Sequence, residues 1–223
     1  MIKRKMLLWE KKAFLDGASL ILGLDEAGRG PLAGPVIAAA VLLKPSPLKR
    51  FTFPRYAERL DDSKKLSFAQ RERSYREILK KSLFGVGLKD PRFIDRQNIR
   101  IATLLAMKEA VEKVVTKYCR LNNKLEARIR DSICVLVDGD CDPDVPYRKI
   151  PIIKGDSRSV SIAAASIVAK VTRDRMMVSY DKRYPGYGFS RHKGYGTRFH
   201  IETIQKRGPC PIHRKSFARV KIK

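Results

Sequence analysis

The sequence predicts an α/β domain, a mixed β-sheet with helices on its faces. Short apolar runs without helical period, at 20–24, 34–43, 83–88 and 133–138, alternate with segments whose apolar residues recur at helical spacing, at 68–80 and 98–118. At 223 residues and 43% hydrophobic content, the chain is long enough to bury one full core with a small appendage. The expected division is an N-terminal extension (1–19), a main domain (20–200) and a basic C-terminal tail packed on it (201–223).

The first strand, ending at Leu24, delivers Asp25 and Glu26 to its own end, directly before Gly28, Arg29, Gly30 and Pro31. GPVIAAAVLL at 34–43 follows across a short Gly/Pro-rich connection, so the two strands are expected to pair antiparallel. Ser67 with Gln70 makes a capping box for a helix over 68–80 that should bury Phe68, Tyr75, Ile78 and Leu79. LFGVGL at 83–88 is a third strand. The helix over 98–118 should bury Ile101, Leu104, Leu105, Val111, Val114, Val115 and Tyr118, leaving Lys108, Glu112, Lys113 and Lys117 outside. The charged stretch 120–131 either extends that helix or loops over the surface. ICVLVD at 133–138 ends on Asp138, and IPIIKGD at 150–156 reads as a weaker strand ending on Asp156. A helix over 159–180 carries small residues (Ala163, Ala164, Ala165, Ser166, Ala169) that permit close packing on a sheet. The loop 184–200 is dense in glycines, aromatics and cations, and a short helix and basic terminus finish the chain.

Charge is the compositional outlier: 48 Lys+Arg against 23 Asp+Glu leave a net charge of +25 and a pI of about 10.2. A field this positive points to a polyanionic partner, nucleic acid ahead of an anionic membrane surface. A lysine-rich background is the alternative source of the same charge. Cys119, Cys134, Cys141 and Cys210 form no C-x-x-C pair and no Cys/His ladder, which argues against zinc and against a secreted disulfide framework. The apolar stretch 6–9 is too short for a signal peptide or spanning helix, so a cytoplasmic protein is expected.

Strand ends meet in one crevice of an open α/β sheet, where ligands bind. Asp25, Glu26, Asp138 and Asp156 drawn together there would repel one another unless cations lay between them. Two hard divalent ions, Mg²⁺ or Mn²⁺, suit an all-carboxylate set; about 3.5–4 Å apart, they could activate a water and stabilise the leaving oxygen of a phosphodiester. Glu26 is the awkward member, because successive side chains on a strand face opposite ways. The glycines at 28–30 leave backbone N–H groups free to bind a phosphate or sugar hydroxyl. No G-K-[ST] follows, so a P-loop is excluded. Ser63, Lys64 and Lys65 are candidate phosphate contacts, Lys170 and Arg173 could line the same groove, and Tyr195 could stack on a sugar or base. His192, His200 and His213 lack metal-ligand spacing, and core or surface roles are expected for them ahead of catalysis.

DEAGRGPLAGPV, DDSKKLS, VLVDGD, the KGD–SIAAASIVAKVTRD run and YPGYGFSRHKGYGT, in this order over about residues 20–213, resemble type 2 ribonuclease H (ribonuclease HII). The resemblance implies a ribonuclease H-like mixed β-sheet flanked by helices, with a short helical C-terminal extension. It also implies metal-dependent cleavage of the RNA strand of RNA–DNA hybrids and of duplex DNA at embedded ribonucleotides. Carried over, the family's acids fall on Asp25, Glu26, Asp138 and Asp156, its 2′-hydroxyl-reading loop on Gly28, Arg29 and Gly30, and its sugar-packing tyrosine on Tyr195. Expected partners are hybrid and ribonucleotide-containing duplexes, bound by a monomer, with no membrane. Asp140 departs from the family, which more often has Asn there. The rival reading, a basic nucleic-acid-binding protein whose acids only cap loops, predicts salt-dependent binding indifferent to the sugar and no turnover.

Overall fold

The computed structural model describes residues 4–43, 60 and 66–220. Five strands form one mixed sheet in the order β3-β2-β1-β4-β5: β1 (Leu20–Ala27), β2 (Val36–Leu43), β3 (Ser82–Lys89), β4 (Ile133–Asp138) and β5 (Arg148–Ile152). β1 pairs antiparallel with β2, and β2 with β3; β4 runs parallel to both β1 and β5. The expected antiparallel pair at 20–43 is therefore present.

The alternation of each strand sends its two sets of side chains into two layers. Leu20, Leu22, Leu24, Ile133, Val135 and Val137 pack with α4 (Ile99–Asn122). Ile21, Cys134 and Leu136 pack on the opposite face with Ile162 of α6 (Val160–Arg183) and Ala13 of α1 (Leu8–Leu15). Gly23 makes the α6 contact possible, since a Cβ there would lie 2.0 Å from the Ser161 carbonyl carbon. Glu10 on α1 is buried and accepts from the Ser159 hydroxyl (2.6 Å) and the Ser161 N–H (3.0 Å), closing the first turn of α6 from outside. The N-terminal helix is thus built into the core. Among the described residues no helix is long and apolar enough to cross a membrane.

Several expectations change. The capping box of α2 (Phe68–Lys81) forms as expected, but Phe68 is 71% exposed because the buried stripe of that helix is Ser74 and Ile78. On α4 the buried face is Ala102, Ala106, Met107, Ala110, Val111, Val114 and Val115, and both Ile101 and Leu105 are exposed. Small residues let this helix approach the sheet, which rotates the larger ones outward. β5 stops at Ile152, so Asp156 does not end a strand; it sits in a short helical turn, Gly155–Ser157. Two short helices, α3 (Pro91–Gln97) and α5 (Glu126–Ile129), precede and follow α4 in the chain; beyond α6, α7 (Phe189–His192) and α8 (Arg198–Arg207) pack with residues 208–220 around Ile204, Ile212 and Val220.

Candidate active site

Register brings the first two acids together. Leu24 pairs with Val137 across the parallel β1–β4 ladder, so the next residues, Asp25 and Asp138, lie on adjacent strands, about 5 Å apart along the sheet. Both share the α6 side with Ile21 and Leu136. Asp138 Oδ1 accepts from the Gly155 N–H (2.6 Å) and the Asp156 N–H (3.4 Å), which draws the turn carrying the buried Asp156 against the same strand end. Asp25 is 5% exposed. Burial, then the charges of Glu26 and Asp138, push its carboxyl well above the ordinary range, against the opposing hydrogen bonds of Ser166 and the Glu26 N–H.

Glu26 confirms the geometric reservation. β1 runs on through Ala27, so Glu26 stands on the α4 side with Leu22 and Leu24, opposite Asp25. There Arg29 Nη1 donates to its Oε1 at 3.3 Å. Its other oxygen, Oε2, is buried without a hydrogen-bond partner among the described residues. Burial raises its pKa; Arg29 opposes that and Asp138 adds to it. The sheet is one residue thick at this point, so the two faces still feel each other's charge.

As they stand, no three His, Cys, Asp or Glu side chains among the described residues converge on one ion position. Asp138 is held back by the 155–156 amides and Glu26 by Arg29. The donor set nonetheless fits divalent cations: hard carboxylates, mutual repulsion at Asp25, and an orphaned buried oxygen on Glu26.

The remaining expected residues divide. Gly28 is buried with φ +101, whereas Arg29 and Gly30 are exposed, and nothing lies within 4 Å of a Cβ built on Gly30. Tyr195 is 46% exposed, its ring 5.9 Å from the Arg173 guanidinium. Lys170 pairs with Asp174 at 2.7 Å. Arg173 is buried rather than lining a groove. Ser63, Lys64 and Lys65 lie outside the described residues. Asp140 is exposed and lines a cavity with Arg29, Arg100 and Cys141. Sequence reasoning missed Ser166, which reaches Asp25, and Arg214, described below; no local signal sets either apart from its neighbours.

A model of the Ribonuclease HII family matches residues 22–220. The chain belongs to the ribonuclease HII family. A ribonuclease HII of Caldanaerobacter subterraneus is 46% identical over 225 residues, covering 100% of this chain and 84% of that protein. The ribonuclease H2 of Pyrococcus horikoshii, at 25% identity, aligns with a TM-score of 0.64 over 91% of this chain and 95% of its own. The fold is also that of Bst ribonuclease HIII solved in complex with Mn²⁺, at 20% identity and a TM-score of 0.63 over 94% of this chain and 70% of the other. Ribonuclease HII enzymes are metal-dependent endoribonucleases, so the chain is a phosphodiester hydrolase.

Proposed function

We propose that the chain cleaves the RNA strand of RNA–DNA hybrids and nicks duplex DNA on the 5′ side of embedded ribonucleotides, with Asp25, Glu26, Asp138 and Asp156 as its catalytic acids. The observation that carries this reading is the adjacency of Asp25 and Asp138 on neighbouring strand ends, with an exposed Gly30, open space beside it, five residues after Asp25. In the reaction, water oxygen bonds to phosphorus while the P–O3′ bond breaks, leaving a 5′-phosphate and a 3′-hydroxyl.

The four acids would hold Mg²⁺ or Mn²⁺, two ions per site, which when bound supply water activation and charge neutralisation at the phosphate. Asp25 and Asp138 would supply oxygens from the α6 side and Glu26 from the α4 side. Arg29, exposed beside Glu26, can face the adjacent phosphate. The N–H groups of residues 28–30 read the 2′-hydroxyl, the group that separates ribose from deoxyribose, and Tyr195 packs on the sugar. Lys170, with Ser63 and Lys64, is assigned to the phosphate backbone, in keeping with the net charge of +25.

The test is a DNA duplex containing one ribonucleotide, incubated with Mg²⁺, Mn²⁺ or EDTA. Cutting at the ribonucleotide with metal and none with EDTA is expected. Binding without metal-dependent cutting would return the chain to the sugar-indifferent binding reading.

A further inference from the structure

Two buried arginines stand behind the recognition loop, and none of the described ion pairs includes either. Arg214 is fully enclosed and directs its donors at main-chain carbonyls: Nε at Gly34 (3.0 Å), Nη1 at Arg29 (2.9 Å) and Nη2 at Gly28 (2.6 Å). Arg173, 1% exposed, does the same to Pro35 (Nε), Lys193 (Nη1) and Ala33 (Nη2), each at 3.0 Å. Burying a guanidinium without a carboxylate costs several kcal/mol. Burial, and the like charge of Arg173, lower Arg214's pKa to about 9. A side chain needed only to fill space would be apolar. What a guanidinium adds is a rigid planar fork that fixes the directions of the carbonyls it meets.

Those directions have a covalent consequence. In a trans peptide the C=O and the following N–H point opposite ways. With the Gly28 and Arg29 carbonyls drawn inward to Arg214, the N–H groups of Arg29 and Gly30 face outward, and no main-chain acceptor among the described residues takes them. The same frame reaches the tyrosine loop. Arg173 binds the Lys193 carbonyl, the Leu32 N–H donates to Gly194 O (2.8 Å), the Arg214 N–H donates to Leu32 O (2.9 Å), and the Arg173 guanidinium lies by the Tyr195 ring. Gly28 interlocks with it, since a Cβ there would sit 2.2 Å from Arg173 Nε.

We propose that Arg214 and Arg173 are positioning residues for ribose recognition, turning the amides of Arg29 and Gly30 outward and fixing them relative to Tyr195. This rests on the reading of residues 28–30 and Tyr195 given above. Arg214→Lys keeps the charge and most of the stem, but one ammonium cannot span three carbonyls. The measurement is affinity, in EDTA, for a duplex with one ribonucleotide and for the all-DNA duplex of the same sequence. The expected result is a loss of about tenfold in the ribose preference, the worth of one or two hydrogen bonds, with all-DNA binding retained and the fold intact by circular dichroism. A folded variant with an unchanged ribose preference overturns the proposal. Should the variant fail to fold, amide exchange on the unaltered chain decides. Leu32 and Gly34 protected together with the sheet support the clamp; exchange at exposed-loop rates overturns it. A wild-type chain with no ribose preference removes the reading of residues 28–30 instead, and the exchange measurement still judges the clamp.

Discussion

The end of β1 and the loop that follows it are a few residues apart and built on opposite principles. At Asp25 and Glu26 the polar groups are left in conflict: both carboxyls are pushed up by burial, Asp25 further by Glu26 and Asp138 and Glu26 further by Asp138, and one Glu26 oxygen has no partner among the described residues. From Gly28 to Pro35 the carbonyls are matched by two buried cations and the chain is tied at Leu32 and Gly34 to distant segments. On the proposed function, a site for cations is left needing them, whereas a surface for reading one hydroxyl is rigid before the substrate arrives.

The largest effect should come from Asp138→Asn. Asn retains the Oδ1 that accepts the Gly155 N–H, so the strand end should keep its shape while losing its charge. Cleavage at an embedded ribonucleotide should fall by about 10³-fold or more, corresponding to several kcal/mol of transition-state stabilisation. Equal activity in single-turnover assays would remove Asp138 from the chemistry. The loop is tested by two glycines. Gly28→Ala, at φ +101 and against Arg173, should cost about 2–4 kcal/mol in denaturant unfolding. Gly30→Ala should stay within about 0.5 kcal/mol, because nothing surrounds it in the free protein. Equal costs at the two positions would show that the loop is not clamped as described.

The sheet was readable from sequence because uninterrupted apolar runs ending at turns admit few alternatives, and the acids were readable because they close those runs. Asp156 is expected to end a strand but sits in a turn: Ile153 prolongs the apolar run past the strand's end at Ile152, with no mark that separates strand from turn. Ile101 faces out because helical period locates a stripe while small residues decide which side of α4 approaches the sheet; Phe68 faces out because α2 buries Ser74 and Ile78 instead. Arg173 and Arg214 were beyond sequence reasoning for a plainer reason. In a chain with 48 basic residues nothing local distinguishes an arginine held among carbonyls from one in solvent. Core or surface roles are expected for the histidines; His200 and His213 prove buried, in a hydrogen-bonded order that nothing in the sequence marks.

That order gives a pH test of the clamped region. The Tyr195 carbonyl can only accept, so His200 Nδ1 donates to it (2.9 Å); His200 Nε2 then accepts from His213 Nε2 (3.0 Å), and His213 Nδ1 accepts from the Cys210 N–H (2.9 Å). Every ring nitrogen is used with both rings neutral, and a proton on His200 Nε2 breaks the chain. Burial accordingly lowers both to about 4, from the ordinary 6.5. Between those values the unfolded chain binds more protons than the folded one, so stability is full above about pH 6.5 and declines toward pH 4, by roughly 3 kcal/mol per histidine. Denaturant melts over pH 4–7 should show this fall, and replacing His200 with Gln should flatten it. A slope unaffected by that replacement would place the histidines outside the linkage.

The smallest effect sharpens the other side of the contrast. Asp25→Asn keeps an oxygen for the Glu26 N–H, which lies 2.6 Å from Oδ1, but removes one of the repelling charges. Without metal the variant should be more stable than the parent by about 1–2 kcal/mol, the common result of relieving strain at a functional site. Mn²⁺ should then raise the thermal midpoint of the parent more than that of the variant, since a cation stabilises the folded state only as far as its ligands bind it. A variant less stable than the parent would mean that the hydrogen bonds at Asp25, rather than its repulsion, dominate the strand end, and that the conflict there is milder than the orphaned Glu26 oxygen implies.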